Sequence, residues 1–208
     1  MRTRQRAPHI IRACVIAASS ACALLLAGCQ SPSARHAPTR VTFDDVPLGA
    51  VRNLSTDGRD FFSGVAEPTG LKVLRDDHGV KTVIDLRLPD QKPADYEQTV
   101  RSVGLEYVAV PIHSDALTPE DAEAILEALD EHNEAPMLIQ CGSANRAGAA
   151  YGLYCALKLN RPIDEALRLA EQAGARNEQL KRDLERYLRA RAEDEDDDDL
   201  DDNDDDDD

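Results

Sequence analysis

The chemically most pointed stretch of this 208-residue sequence is Cys141-Gly142-Ser143-Ala144-Asn145-Arg146, a thiol and a guanidinium separated by four short residues. A loop of short residues running into a helix start can aim several backbone N–H groups at one point, where the positive end of the helix favours an anion. Phosphate suits such a cradle. Arg146 adds a planar fork that contacts two phosphate oxygens at once, and the same positive field favours the thiolate of Cys141 over the thiol. A thiolate attacking a phosphoryl group gives a cysteinyl-phosphate that water then hydrolyses, and a carboxylic acid should protonate the departing oxygen. Asp115 is the candidate for that acid, with Glu120 and Asp121 as alternatives. The backbone cradle runs from Gly142 and Ser143 through Ala144 to Asn145. Two rivals use the same residues: a phosphate- or anion-binding module without turnover, and a thiol redox or sulfur-transfer protein. The last leaves Arg146 less well explained.

Positioning such a loop requires a strand before it and a helix after it. Met137 to Gln140 is a four-residue apolar run that leads straight into Cys141, and residues 146–159 read as the following helix. Upstream, extended segments at 51–54 and 60–63 flank the turn signal Thr56-Asp57-Gly58 and predict a hairpin. A helix is predicted from Glu67 through Leu71, Val73 and Leu74 to a stop at Gly79, followed by a buried strand over 80–86. Residues 94–103 read as a helix closed by Gly104, and 107–112 as a strand that turns at His113-Ser114-Asp115. Thr118 as N-cap with Pro119 at the first helical position starts the next helix, whose apolar face is Ala122, Ile125, Leu126 and Leu129. Helices over 162–173 and 177–190 close the domain. Strands alternating with helices predict an α/β fold with a central, mostly parallel sheet flanked by helices, in which sites lie at the strand carboxyl ends. Cys141 is in that place.

The N-terminus carries targeting information. A basic start over residues 1–12 precedes a charge-free apolar run over 13–27, too short for a bilayer span of about 20 residues. The run ends in Leu26-Ala27-Gly28-Cys29, which resembles the bacterial lipobox, where the cysteine is lipidated and becomes the mature N-terminus. The resemblance implies a signal peptide over 1–28, lipidation of Cys29, and a periplasm-facing lipoprotein of the bacterial cell envelope. Gln30 at the next position, in place of Asp, resembles sorting to the outer membrane. Residues 29–45, with a Ser/Pro/Ala-rich core, read as a flexible tether, 46–192 as one globular domain, and 193–208 as a disordered acidic tail.

That tail dominates the charge. Of 40 acidic residues, 14 lie beyond residue 192; removing them and the four arginines before residue 29 takes the formal charge from -16 to -6. A mildly acidic domain does not favour nucleic acid. Of five cysteines, Cys14 and Cys22 leave with the signal and Cys29 takes the lipid, leaving Cys141 and Cys155. A helix from Arg146 carries the chain about 13 Å before Cys155, beyond disulfide reach, so Cys141 should be a free thiol and Cys155 core packing. No His or Cys pair has metal-ligand spacing, and no cofactor is implied. Asp85 and Arg87 read as structural partners, His113 as structural or solvent-facing, and His78 as a helix-end cation.

The cysteine loop, with Phe62-Ser63-Gly64, the run Thr82-Val83-Ile84-Asp85-Leu86-Arg87, Gly104-Leu105-Glu106-Tyr107 and Pro111-Ile112, resembles the cysteine-dependent phosphatases of the tyrosine and dual-specificity superfamily. More narrowly it is similar to the beta-lactamase hydrolase-like, phosphatase-like domains and to the related domain fused to NAD kinases. The resemblance covers residues 46–159. It implies a nucleophile at Cys141, a phosphate-binding side chain at Arg146, and a phosphorylated protein or small molecule as substrate. The superfamily loop has five residues between Cys and Arg, a preceding His and a following Ser or Thr. Here there are four, with Gln140 before and Ala147 after. The narrower subfamily has the shorter loop. The missing hydroxyl removes a donor to the leaving thiolate and favours the binding module, whereas Asp115 favours the enzyme.

Overall fold

The structure, a computed structural model, describes residues 37–40 and 50–201. The expected signal peptide and Cys29 lie outside these residues. Six strands form one sheet: β1 (Thr39–Arg40), β2 (Ser55–Thr56), β3 (Phe61–Ser63), β4 (Thr82–Asp85), β5 (Glu106–Ala109) and β6 (Met137–Gln140). Their order across the sheet is β1-β2-β3-β6-β4-β5. The pairs β3/β6, β6/β4 and β4/β5 are parallel, while β1/β2 and β2/β3 are antiparallel. The mostly parallel sheet is therefore present, with an antiparallel edge.

The helices are α1 (Pro68–His78), α2 (Tyr96–Ser102), α3 (Pro119–Glu131), α4 (Asn145–Leu157), α5 (Ile163–Ala173) and α6 (Glu178–Asp201). Alternation along the strands sorts them into two layers. Val83 and Leu138 pack with Leu71, Leu74 and Val100 of α1 and α2. Ile84, Ile139 and Cys141 pack with α3, α4, α5 and α6, including Ile125, Leu153, Leu169 and Leu184. Each such aliphatic side chain contributes roughly 1.5–3 kcal/mol on full burial. The central element of the second layer is α4, buried on almost every side and rich in Ala and Gly. A Cβ on Gly148 would stand 2.6 Å from the Ala170 carbonyl oxygen and 2.4 Å from the Ala175 nitrogen, so only glycine lets α5 and the chain after it come this close.

Local signals explain several boundaries. Thr118 Oγ1 accepts from Asp121 N at 3.2 Å and Asp121 Oδ2 accepts from Thr118 N at 3.0 Å, closing a reciprocal cap at the start of α3. The buried face of α3 holds Ala122, Ile125 and Leu129 as expected and adds Ala128, while Leu126 is only half-buried. Gly79 ends α1 in the left-handed conformation at φ 72°.

Two expectations need correction. Thr39–Arg40, within the expected tether, pairs with β2 as an edge strand. The domain boundary expected at Ala192 falls inside α6, which continues to Asp201, because adding a residue to an existing helix is far easier than nucleating one. No helix among the described residues is long and apolar enough to cross a membrane.

Candidate active site

Cys141 lies one residue past the end of β6, and its backbone N–H donates to Ser63 O at 3.1 Å, continuing the β3/β6 pairing. Its side chain is buried, with only 1% of the residue exposed, and neither Cys141 nor Cys155 forms a disulfide. Between Cys141 and α4 the chain turns sharply at Ala144, at φ 77°, a left-handed conformation that costs a non-glycine residue of order 1–2 kcal/mol. Such strain needs support from the surroundings. Gly174, at φ 130°, supplies it: a Cβ there would come within 2.7 Å of the Ala144 Cβ. On the other flank Ser143 forms an isolated bridge with Gly64, and the Asn53 side-chain amide donates to Ser143 O at 3.1 Å.

The Asn145 side chain has a role apart from the expected backbone cradle. Its Oδ1 accepts from Arg176 N at 2.6 Å and from Asn177 N at 2.9 Å, and its Nδ2 donates to Ser143 Oγ at 3.0 Å. The side chain thus fastens the loop to the segment before α6. The backbone N–H groups of Gly142, Asn145 and Arg146 make no hydrogen bond among the described residues. Unbonded N–H groups at a helix start are donors of the kind that can meet an anion.

Arg146 is 4% exposed. Its Nη1 lies 2.8 Å from Leu86 O, 2.9 Å from Ile112 O and 2.9 Å from Gln91 Oε1. All three acceptors are neutral, and no carboxylate pairs with Arg146 among the described residues. The other terminal nitrogen, Nη2, turns towards the loop, 3.7 Å from where a Cβ on Gly142 would sit. The chain therefore grips the guanidinium on one side and leaves its charge uncompensated on the side that faces the cysteine loop. Gln91 ends a short 3-10 turn (Pro89–Gln91) between β4 and α2. Its role was not legible from the sequence, where no periodicity or motif marks it.

Asp115 is exposed, in the bend three residues after Ile112, whose carbonyl holds Arg146. Of the alternatives, Asp121 is engaged in the α3 cap. Hydrogen bonds from its own backbone N–H and from Thr118 hold Glu120 below the ordinary carboxylate range, the wrong direction for a proton donor. His113 is exposed.

On the α1/α2 side of the sheet the strand ends carry a second polar group. Arg87 Nε and Nη2 donate to the two oxygens of Asp85 at 2.9 and 2.8 Å, both residues are fully buried, and Tyr107 Oη donates to Asp85 Oδ2 at 3.1 Å. Arg87 and Asp85 are structural partners, as their positions predict. Gln140 Oε1 accepts from Tyr96 Oη at 3.0 Å, whereas its Nε2 has no hydrogen-bond partner among the described residues.

No protein-family model matches the chain, and no curated protein matches it by sequence. Solved structures do match. The fold is similar to that of a DUF442 phosphatase candidate from Shewanella putrefaciens CN-32, with 22% identity and a TM-score of 0.58 over 73% of this chain and 98% of that one. It is similar to P. aeruginosa TpbA, with 20% identity and a TM-score of 0.57 over 74% and 90% of the two chains. Tk-PTP in its active form gives 22% identity and a TM-score of 0.56 over 64% and 92%. TpbA has also been solved, as a cysteine-to-serine variant, in complex with phosphotyrosine. At these identities the likeness establishes the fold, an α/β arrangement shared with these proteins.

Proposed function

We propose that the protein is a cysteine-dependent phosphatase acting on phosphomonoesters, phosphotyrosine among them, through a cysteinyl-phosphate at Cys141. The observation that carries this reading is Arg146: a guanidinium almost wholly buried, fixed by three neutral acceptors and with no carboxylate partner among the described residues, beside a buried thiol. Burying a charge without a counter-ion is costly, so a ligand that brings the counter-ion gains what the fold has left uncompensated. A phosphate does so and also meets the free N–H groups of the loop. The complex of TpbA with phosphotyrosine adds support for an aryl phosphomonoester as substrate.

In the proposed reaction the Cys141 sulfur attacks phosphorus as the ester oxygen leaves with a proton from Asp115. Water then attacks the cysteinyl-phosphate and the thiolate departs. Arg146 and the loop N–H groups hold the three non-bridging oxygens throughout, where charge accumulates. Ala147, in place of a hydroxyl residue, gives no help to the departing thiolate, which favours the binding-module rival at that one step.

Intact-protein mass spectrometry with an aryl phosphate tests the reading. Wild type should show a phospho-adduct, and Cys141→Ser should bind phosphate yet lose hydrolysis, because a serine hydroxyl is hardly ionised at neutral pH. Asp115→Asn should lower turnover alone, most for poor leaving groups. Equal hydrolysis by wild type and Cys141→Ser refutes the scheme, and phosphate binding without an adduct at any pH makes the protein a binding module.

The proposal extends to location: a lipoprotein anchored through Cys29 in the envelope and facing the periplasm, in the outer membrane. Cys29→Ser should release the protein from membranes; retention with an uncleaved N-terminus would refute it.

A further inference from the structure

The cysteine loop has a neighbour. A cavity of about 40 Å³ opens beside it, whose lining includes Asn53, Ser143, Gln172 and Arg176 together with the apolar Leu54 and Ala173. Ser143 belongs both to the loop and to this wall. The lining contains no carboxylate and one formal charge, that of Arg176, whose side chain is exposed and has no ion pair among the described residues.

Arg168 and Arg182 are likewise without an ion pair among the described residues, whereas other arginines are paired. Arg75, Arg101, Arg161, Arg186 and Arg189 each have a carboxylate within 4 Å. The acids closest in sequence to Arg176 are not available to it: Glu171 and Glu178 both bind Lys181, at 2.7 and 2.8 Å. Arg52, next to the lining residue Asn53, is likewise exposed and without an ion pair among the described residues. Two of the arginines without an ion pair, Arg176 and Arg52, thus stand in the wall of this cavity or next to it in sequence.

Resting on the phosphatase reading of that loop, we infer that this cavity is a second anion subsite and that the preferred substrate is a phosphomonoester bearing a second anionic group, taken up by Arg176. A volume of about 40 Å³ has room for an ordered water or an anionic oxygen. The Asn53 and Gln172 amides and the Ser143 hydroxyl provide the polar lining such an oxygen requires. The Arg176 backbone N–H is already committed to Asn145, so the loop keeps its support whatever side chain stands at 176.

The test uses the full chain with Cys141→Ser, which removes turnover, and calorimetric titration with phenyl phosphate, the ortho, meta and para phenylene bisphosphates, and the carboxyphenyl phosphates. At least one doubly anionic ligand should bind about tenfold or more tighter than phenyl phosphate at low ionic strength, well beyond the factor of two that a symmetric bisphosphate gains from having two ends. The readout is that ratio. Adding Arg176→Ala should bring it back to about two or less, and Arg176→Lys should retain part of it. Ratios near one for every isomer, or a high ratio that survives Arg176→Ala, overturn the subsite. Failure of phenyl phosphate itself to bind is a different result, which removes the phosphatase reading. Which isomer wins, carboxylate or phosphate, identifies the second group.

Discussion

Arg87, two residues past β4, and Arg146, in the first turn of α4, are both buried arginines, yet the chain treats them in opposite ways. Arg87 is 1% exposed and forks onto both oxygens of Asp85, with its guanidinium carbon 4.2 Å from the centre of the Tyr96 ring. Burial works against its charge, but the hydrogen bonds and charge of Asp85 outweigh that, and its pKa is raised. Arg146, at 4% exposure, is held by two carbonyls and an amide oxygen only. The sheet separates the two: Asp85 and Gln140, side by side in register, face α1 and α2, while Cys141 faces the α4 layer. The lesson concerns the counter-ion. Where the fold supplies it the arginine is closed and structural, and where the fold withholds it the arginine is open to a ligand.

Removing each guanidinium breaks the comparison most directly. Arg87→Ala leaves the buried Asp85 carboxylate without its bidentate partner, with Lys92 3.9 Å away, so urea unfolding should show a loss of up to about 3–5 kcal/mol. Arg146→Ala orphans only neutral carbonyls. It should cost less, about 1–3 kcal/mol, while lowering kcat/KM for an aryl phosphate by about 10²–10³-fold. If Arg146→Ala destabilises as much as Arg87→Ala with phosphate affinity intact, the open arginine is structural too and the contrast collapses.

How much of this was legible in the sequence depended on the range of the interaction. The start of α3 was readable because Thr118, Pro119 and Asp121 act within four residues, and β6 because Met137–Gln140 is an uninterrupted apolar run ended by the loop. The Asp85/Arg87 pairing was readable because two residues on one strand end reach each other without help from the rest of the chain. Strand β1 was not, since Thr39–Arg40 has neither length nor alternation and exists because β2 offers it an edge. Nor was the end of α6, where a run of acids that reads as unfolded is carried on by a helix already formed. At the site, Cys141 and Arg146 declared themselves by type and spacing. Gln91, Asn53 and the turned-away side chain of Asn145 did not, because their partners lie 55, 90 and 31–32 residues away.

Gln91 allows the comparison to be sharpened with a single atom type. Gln91→Glu places a carboxylate where the amide oxygen now contacts Arg146, converting the open arrangement into one like that of Arg87. Phosphate affinity should fall about tenfold, since the ligand must now compete with a resident anion. Stability should rise modestly, by roughly 1 kcal/mol, because buried Arg146 gains a counter-ion while the carboxylate at exposed position 91 stays partly solvated. Unchanged phosphate affinity would mean that the neutrality of the grip on Arg146 is irrelevant.

The smallest effect distinguishes the closed site by its pH dependence. Burial first, and then the charge of Asp85 and the hydrogen bond to it, push the Tyr107 hydroxyl well above its ordinary value of about 10. Burial raises Tyr96 as well. A raised folded-state pKa means that the unfolded chain loses the proton first. The stabilisation is therefore complete below about pH 10 and is lost as the pH rises towards the folded-state value. Tyr107→Phe removes the group from this balance. At pH 8 it should cost roughly 1 kcal/mol, because Asp85 loses a donor. Above about pH 10 the variant should lose stability more slowly than wild type, by up to one proton's slope of about 1.4 kcal/mol per pH unit, so the two curves converge. Tyr96 remains in both proteins and keeps some alkaline slope in each. Urea unfolding at steps from pH 8 to about 11.5 measures the convergence. Parallel curves across that range would show that Tyr107 titrates alike in the folded and unfolded chains, and that Arg87 and Lys92 seal Asp85 without it.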